Sequence, residues 1–280
     1  MRVNARCAAC LLDKQMHKTD HPEYLAEVRR ILETRREGDT SPYLVYLFNL
    51  AYEKYFGRAE PYRQVKRAYN DFVLALEPDI RRRIEAAPDA LAASLAFART
   101  GNYIDFGAMN NVDRDTFLAL LDGAGLEARD MPVYRSFVRR CASARRFLLI
   151  ADNCGEIVLD KLFLEQLHRA FPGLELSVMV RGREVLNDAT AEDALYVHID
   201  DCARIVPNGN SVAGTVYAML SDDAKDALDR ADVILAKGQG NYESLCDQGR
   251  HVFYSLLCKC DLFTERFNVP ALTGILVEGD

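Results

Sequence analysis

The stretch FLLIADNCGE, Phe147 to Glu156, decides how this chain is read. Its apolar residues stop at an acid, an amide and a glycine, and an amphipathic segment, Glu156 to Ala170, follows. A short continuous apolar run bounded by turn residues reads as a strand buried on both faces. Strand, polar turn and helix make the first half of a βαβ unit. The pattern recurs in LELSVMVRG (174–182), ARIVP (203–207), ADVILAK (231–237) and HVFYSLL (251–257), with helical segments such as Ser221 to Arg230 between them. Parallel strands with right-handed crossovers follow from that alternation. The expected fold is α/β, an open and mainly parallel sheet sandwiched by helices in a Rossmann-like three-layer arrangement.

Toward the N-terminus the texture is helical. HPEYLAEVRRILETRRE (21–37), SPYLVYLFNLAYEKYFG (41–57) and PYRQVKRAYNDFVLALEPDIRRRIEAA (61–87) place apolar residues three and four apart, as in Leu25, Val28, Ile31 and Leu32. Pro22, Pro42 and Pro61 stand where a first-turn proline belongs, and Gly38 and Gly57 stand near helix ends. The expected organisation is an all-helical N-terminal lobe, 1–100, followed by an α/β domain, 101–280. There is no internal repeat and no low-complexity linker.

Composition narrows the function. The 280 residues are 49% hydrophobic and 28% charged, which excludes a disordered chain. The balance of 35 Lys+Arg against 42 Asp+Glu, a net charge of -7, is poorly suited to nucleic acid or an anionic membrane. A locally basic pocket stays open. Met1 to Asp20 is too polar for a secretory signal, and the longest apolar stretch, Tyr43 to Tyr52, is interrupted by Asn49. A bilayer span takes about 20 apolar residues. The expectation is a cytoplasmic protein with no membrane or nucleic-acid partner. Its eight cysteines are then reduced or metal-bound, with a disulfide framework as the alternative.

Ligands of open α/β sheets bind beyond the carboxyl ends of the strands. There the chain places Asp152-Asn153-Cys154-Gly155-Glu156, then Arg181-Gly182-Arg183 with Asn187-Asp188-Ala189-Thr190, then Lys237-Gly238-Gln239-Gly240-Asn241. Taken singly, each has a bland reading: a helix cap, an Asx-turn, a flexible turn. Taken together, they put hard oxygen donors and a cationic glycine turn at one edge. Asp, Asn and Asp suit Mg²⁺ or Mn²⁺ rather than zinc. Lys237 beside two glycines, opening a helix, suits a phosphate. A metal with an anion cradle points to phosphoryl chemistry.

Other motifs carry less. Gly238 and Gly240 begin a dinucleotide fingerprint, but Glu243 occupies its third glycine position and the unit is the fourth strand. Asp113-Arg114-Asp115-Thr116 has the paired aspartates of aspartyl-nucleophile phosphatases, yet it opens an amphipathic helix and reads as a cap. Cys154 reads as a small residue tucked under the turn. Cys7-x-x-Cys10 has metal or redox spacing. Structural zinc needs four ligands, and Cys258-x-Cys260 completes the set if the termini meet.

DNCGE, VRG with LNDAT, KGQGNYESL, and GNYIDFG at 101–107 together resemble the damage-control phosphatase family, catalogued as domain of unknown function 89. The Cys7-Cys10 pair is similar to that of its microbial subfamily. The resemblance implies a phosphatase that removes phosphate from damaged or surplus small metabolites, such as sugar phosphates and phosphopantetheine forms. It implies a divalent metal, Mn²⁺ or Mg²⁺ with Co²⁺ or Ni²⁺ as further candidates, on Asp152, Asn153 and Asp188, the catalytic set. Gly101, Asn102 and Asp105 match an element lining the same pocket, and Lys237 and Asn241 match one that meets substrate or phosphate. The full substrate-binding set expected is Asn102, Asp105, Glu156, Arg181, Asn187, Lys237, Gly238 and Asn241. Cys7 and Cys10 are a candidate second metal or redox site. Water is the preferred nucleophile, with carboxylate attack left open. The alternative is an adenosylmethionine-dependent carboxyl methyltransferase, an activity also attributed to part of the family. That fold would normally place its glycine-rich turn after the first strand, where this chain has DNCGE. A metal-binding regulator without turnover is the third reading.

Overall fold

The computed structural model describes residues 1–57, 62–105 and 112–279, so Pro61 and the end of the GNYIDFG motif lie outside the described residues. Among the described residues seven helices come first: α1 (Ala5–Lys18), α2 (Pro22–Glu33), α3 (Ser41–Phe56), α4 (Arg63–Ala86), α5 (Ala90–Gly101), α6 (Arg114–Asp122) and α7 (Met131–Ser143). The alternating part follows with β1 (Arg146–Ile150), α8 (Glu156–Ala170), β2 (Glu175–Val180), α9 (Ala191–Tyr196) and β3 (Arg204–Pro207). It continues through α10 (Asp222–Arg230), β4 (Val233–Lys237), α11 (Gly238–Leu245), β5 (Val252–Leu257), α12 (Asp261–Phe267) and β6 (Gly274–Gly279).

The sheet runs β3-β2-β1-β4-β5-β6, parallel except for β6 against β5. The five apolar runs of the sequence are its five parallel strands. The antiparallel edge strand β6 was not among them, because Gly274 to Gly279 mixes apolar residues with glycines and an acid. Winding starts at β1, proceeds outward to β2 and β3, then returns to the other side at β4. The β1–β4 boundary is therefore the topological switch point, where connections diverge and leave a crevice.

Strand alternation sends Phe147, Leu149, Leu235 and Phe253 into one core and Leu148, Ile150, Ile234, Ala236 and Tyr254 into the other. On the first face lie residues of α4, α5, α7 and α8, and α8 is buried nearly all round, its Glu156 and Asp160 included. Each of its fully buried leucines contributes about 1.5–3 kcal/mol. A third cluster, around Tyr24, Leu44 and Phe48, holds α2 and α3 together. The clusters do not divide at residue 100: Val73 and Ile80 of α4 and Leu95 and Phe97 of α5 pack with the sheet.

Candidate active site

The crevice is built by two strand-end segments that pair through their backbones. Ala189 N donates to Asp152 O at 2.8 Å, Cys154 N donates to Asn187 O at 2.8 Å, and Asn153 bridges Asp188. This pairing brings Asp152, Asn153 and Asp188 to one place although the last is far along the chain. Asp152 and Asn153 are not helix caps, since Gly155 holds the N-cap position of α8 with no side-chain cap bond.

Four carboxylates gather there: Asp152, Asp188, Asp105 and Glu156. Burial drives the Asp152 carboxyl well above its ordinary range, and Asp188, Glu156 and Asp105 push it further, against the Arg181 guanidinium. Burial likewise pushes Asp188 up to about 6, with Arg181 opposing. Arg181, itself buried, donates from Nε to Asp188 Oδ2 at 2.7 Å and from Nη2 to Asp152 Oδ1 at 3.5 Å. Arg181, with Lys237 on Glu156 and Lys259 on Asp105, offsets only part of this charge, and a site with that excess of negative oxygen donors suits a hard divalent cation.

Amides hold these oxygens in place. Asn102 Nδ2 donates to Asp152 Oδ2 at 3.0 Å and to Glu156 Oε2 at 3.1 Å, while its Oδ1 accepts from Leu257 N at 3.1 Å. Asn153 Nδ2 donates to Asp152 Oδ2 and Glu156 Oε2, both at 2.9 Å. The amide nitrogen of Asn153 is spent on carboxylates, which leaves its oxygen as the donor atom toward a cation.

Lys237 behaves differently from the phosphate contact its sequence context suggests. Its ammonium is fully buried and donates to Glu156 Oε1 at 2.7 Å, Asp160 Oδ1 at 2.6 Å and Ala98 O at 2.9 Å. All three N–H groups are used behind the crevice, so in this structure Lys237 positions Glu156. Asn241 is also engaged internally, donating to Ala151 O and Lys237 O and accepting from Thr215 and Arg181. Asn187 Nδ2 reaches Ile104 O at 2.9 Å, and Asp105 accepts from Lys259 Nζ at 2.6 Å.

Gly238 explains its own identity. Its φ is +78, and a Cβ there would lie 1.9 Å from Asp152 Oδ2. Gly238→Ala is expected to lower stability by about 2 kcal/mol or more through strain and displacement of Asp152. Hydrolytic activity should fall about 10²-fold with the misplaced carboxylate. Urea unfolding and steady-state kinetics check both.

Several expectations on neighbouring residues can be placed. Asp113 caps α6, accepting from Thr116 N at 2.8 Å. Cys154 is buried and its thiol is pushed far up by burial, as befits a packed residue rather than a nucleophile. All eight cysteines are free thiols, so no disulfide framework forms. Sequence reasoning missed Asp160 and Lys259. Asp160 lies four residues after Glu156, on the same helix face, and Lys259 follows an apolar run as the other site residues do; both signals were present. Among the described residues, His198, Asp200 and Asp201 also stand at ligand spacing. They are exposed and precede β3, at the opposite edge of the sheet from the crevice.

An oxygen-donor centre at the switch point of an open α/β sheet defines a class of enzyme site, and comparison with known proteins gives the family. The damage-control phosphatase ARMT1-like domain matches residues 3–272. A damage-control phosphatase of Archaeoglobus fulgidus is 27% identical over 276 residues, covering 93% of each chain. The damage-control phosphatase PH1575 of Pyrococcus horikoshii is 24% identical over 283 residues, covering 96% of each. In the solved structures, a family protein from Pyrococcus horikoshii superposes with a TM-score of 0.82 at 21% identity over 100% of both chains. The chain belongs to the damage-control phosphatase ARMT1-like family.

Proposed function

We propose that this chain is a metal-dependent phosphatase acting on phosphate monoesters of small metabolites, damaged or surplus ones of the sugar-phosphate and phosphopantetheine kind. The observation that carries the reading is the gathering of Asp152, Asp188 and Glu156, all buried, with Asp105 beside them, a negative excess that Arg181, Lys237 and Lys259 offset only in part. Mn²⁺ or Mg²⁺ on Asp152, Asn153 and Asp188 fits those donors, with Co²⁺ and Ni²⁺ as weaker candidates. When bound, the cation supplies Lewis-acid polarisation of a phosphoryl oxygen and compensates its charge. Asp152 and Asp188 present the anionic oxygens, and Arg181 keeps both aimed into the crevice. Asn102 and Glu156 hold Asp152 and Asn153 in register, and Lys237 anchors Glu156 from behind. Asp105, Asn187, Gly238 and Asn241 complete the wall against which substrate is placed. Water is the nucleophile.

Among the described residues no helix is long and apolar enough to cross a membrane. Free thiols and the net charge of -7 fit a cytoplasmic enzyme with a small phosphorylated substrate. The adenosylmethionine-dependent methyltransferase reading is less supported. The turn after β1 buries carboxylates where such a cofactor would need glycines and room.

The test is a panel of phosphorylated metabolites assayed with Mn²⁺, Mg²⁺, Co²⁺ and Ni²⁺, with calorimetric titration of metal and adenosylmethionine. Phosphate release that needs metal and stops with chelator is expected. Metal-independent hydrolysis, or adenosylmethionine binding without metal binding, would overturn the reading.

A further inference from the structure

Two buried polar residues of the N-terminal helices reach both strand-end turns of the crevice. Lys66 and Asn70 lie one turn apart on α4 and are 2% and 1% exposed. Asn70 Oδ1 accepts from Gly155 N at 2.6 Å, and its Nδ2 donates to Asp193 Oδ1 at 3.0 Å. Lys66 Nζ pairs with Asp193 Oδ2 at 2.6 Å and with Glu184 Oε2 at 2.9 Å. Asp193 Oδ2 also accepts from Thr190 N at 2.9 Å and from Thr190 Oγ1 at 2.8 Å. Burial works against the Lys66 charge, and Asp193 and Glu184 outweigh it, so the ammonium stays charged. Gly155 stands two residues after Asn153, and Thr190 stands two residues after Asp188. One helix therefore holds the turn after β1 through Asn70 and the turn after β2 through Asp193 and Glu184.

We propose that Lys66 and Asn70 are positioning residues of the oxygen-donor centre: with Asp193 they brace the turn carrying Asp152 and Asn153 against the turn carrying Asp188. The brace rests on the metal-centre reading given above. Donors drawn from two turns bind a cation tightly only when the turns already stand at the right separation, since otherwise binding must order them. The apolar packing of α4 on the sheet comes from Val73, Ile80 and Ile84, further along the helix. Lys66 and Asn70 add little to it, and a buried ion pair is a weak source of stability. Their hydrogen bonds fix direction and register instead, which apolar contacts leave loose. Steric fit acts in the same sense. Gly155 has φ +70, and a Cβ there would lie 2.9 Å from Ile104 Cδ1 and 3.3 Å from Tyr69 O, a carbonyl of α4.

The test exchanges two partners of the brace. Asn70→Asp keeps an acceptor for Gly155 N but sets a carboxylate against Asp193. Adding Asp193→Asn restores a donor facing an acceptor and the original net charge. The full chain and its variants are titrated calorimetrically with Mn²⁺ well below their melting temperatures. Amide hydrogen exchange of the metal-free proteins is followed over 150–156 and 184–193. Asn70→Asp should weaken Mn²⁺ binding about tenfold or more and speed exchange in both segments, and the double variant should recover most of the affinity. A loss of global stability alone leaves the affinity of the folded protein unchanged. Should Asn70→Asp fail to fold, Thr190→Val carries the test: it keeps the shape, removes the hydroxyl bond to Asp193 and should weaken Mn²⁺ binding about threefold or more. Wild-type Mn²⁺ affinity in whichever of these two variants folds, or a folded double variant as weak as Asn70→Asp, would overturn the brace. A wild-type chain that binds no Mn²⁺ sinks the metal-centre reading itself, and the brace with it.

Discussion

Asp152→Ala and Asp188→Ala are each expected to lower metal-dependent phosphate-ester hydrolysis by about 10³-fold or more while the chain stays folded. Each removes an anionic donor from the centre, and the remaining carboxylates are engaged elsewhere, Glu156 by Lys237, Asn102 and Asn153 and Asp105 by Lys259. The stability effect runs the other way. In metal-free protein the two carboxyls repel each other in a buried place, so Asp152→Asn is expected to melt no lower than wild type. The signature is linkage: at a metal concentration a hundred times Kd, wild type gains about 2.7 kcal/mol, and the variants gain little. Thermal melts with and without Mn²⁺ read this directly, and full activity or an unchanged metal-induced shift in either variant would remove the centre from these residues.

Lys237→Met should cost stability instead, by about 3–5 kcal/mol, because it leaves Glu156 and Asp160 buried without their cation. Methionine has similar length and no charge, so lost packing is a minor part of the effect. Burial pushes Asp160 up to about 7 despite Lys237, and the like charge of Glu156 contributes. Its folded-state value therefore lies above its unfolded one. Its contribution to stability is full below about pH 4 and is lost as pH rises through about 7. The Lys237→Met deficit should accordingly be larger at pH 8 than at pH 5, and adding Asp160→Asn should recover part of it at pH 8. Denaturant unfolding at both pH values tests this. A deficit under 1 kcal/mol at pH 8 would mean that the buried pair is not what holds Glu156.

Much of the fold was legible in the primary structure because parallel strands are buried on both faces. FLLIA and ADVILA are continuous apolar runs for that reason, and the acids and glycines after them mark where the chain leaves the sheet. The edge strand β6 carried no such signal. The helical lobe was legible as helices, but its division from the rest was not. Amphipathic periodicity shows that α4 and α5 have an apolar face without saying what that face meets. The face belongs to the sheet's core, so the chain at residue 100 is a place where textures change and not where packing ends.

For the site, residue types and strand-end positions singled out Asp152, Asn153 and Asp188 as hard oxygen donors, a property of the residues themselves, and the fold pairs Asn153 with Asp188. The direction of a long side chain is not. Lys237 was legible as a cation at the crevice edge. Only tertiary packing decided that its ammonium turns inward, because Glu156 and Asp160, one helical turn apart on α8, are a lower-energy destination than solvent for a lysine already committed to the core. The meeting of α1 with α12 was likewise settled by tertiary structure, through the pairing of Arg6 with Asp261 and Glu265 at opposite ends of the chain.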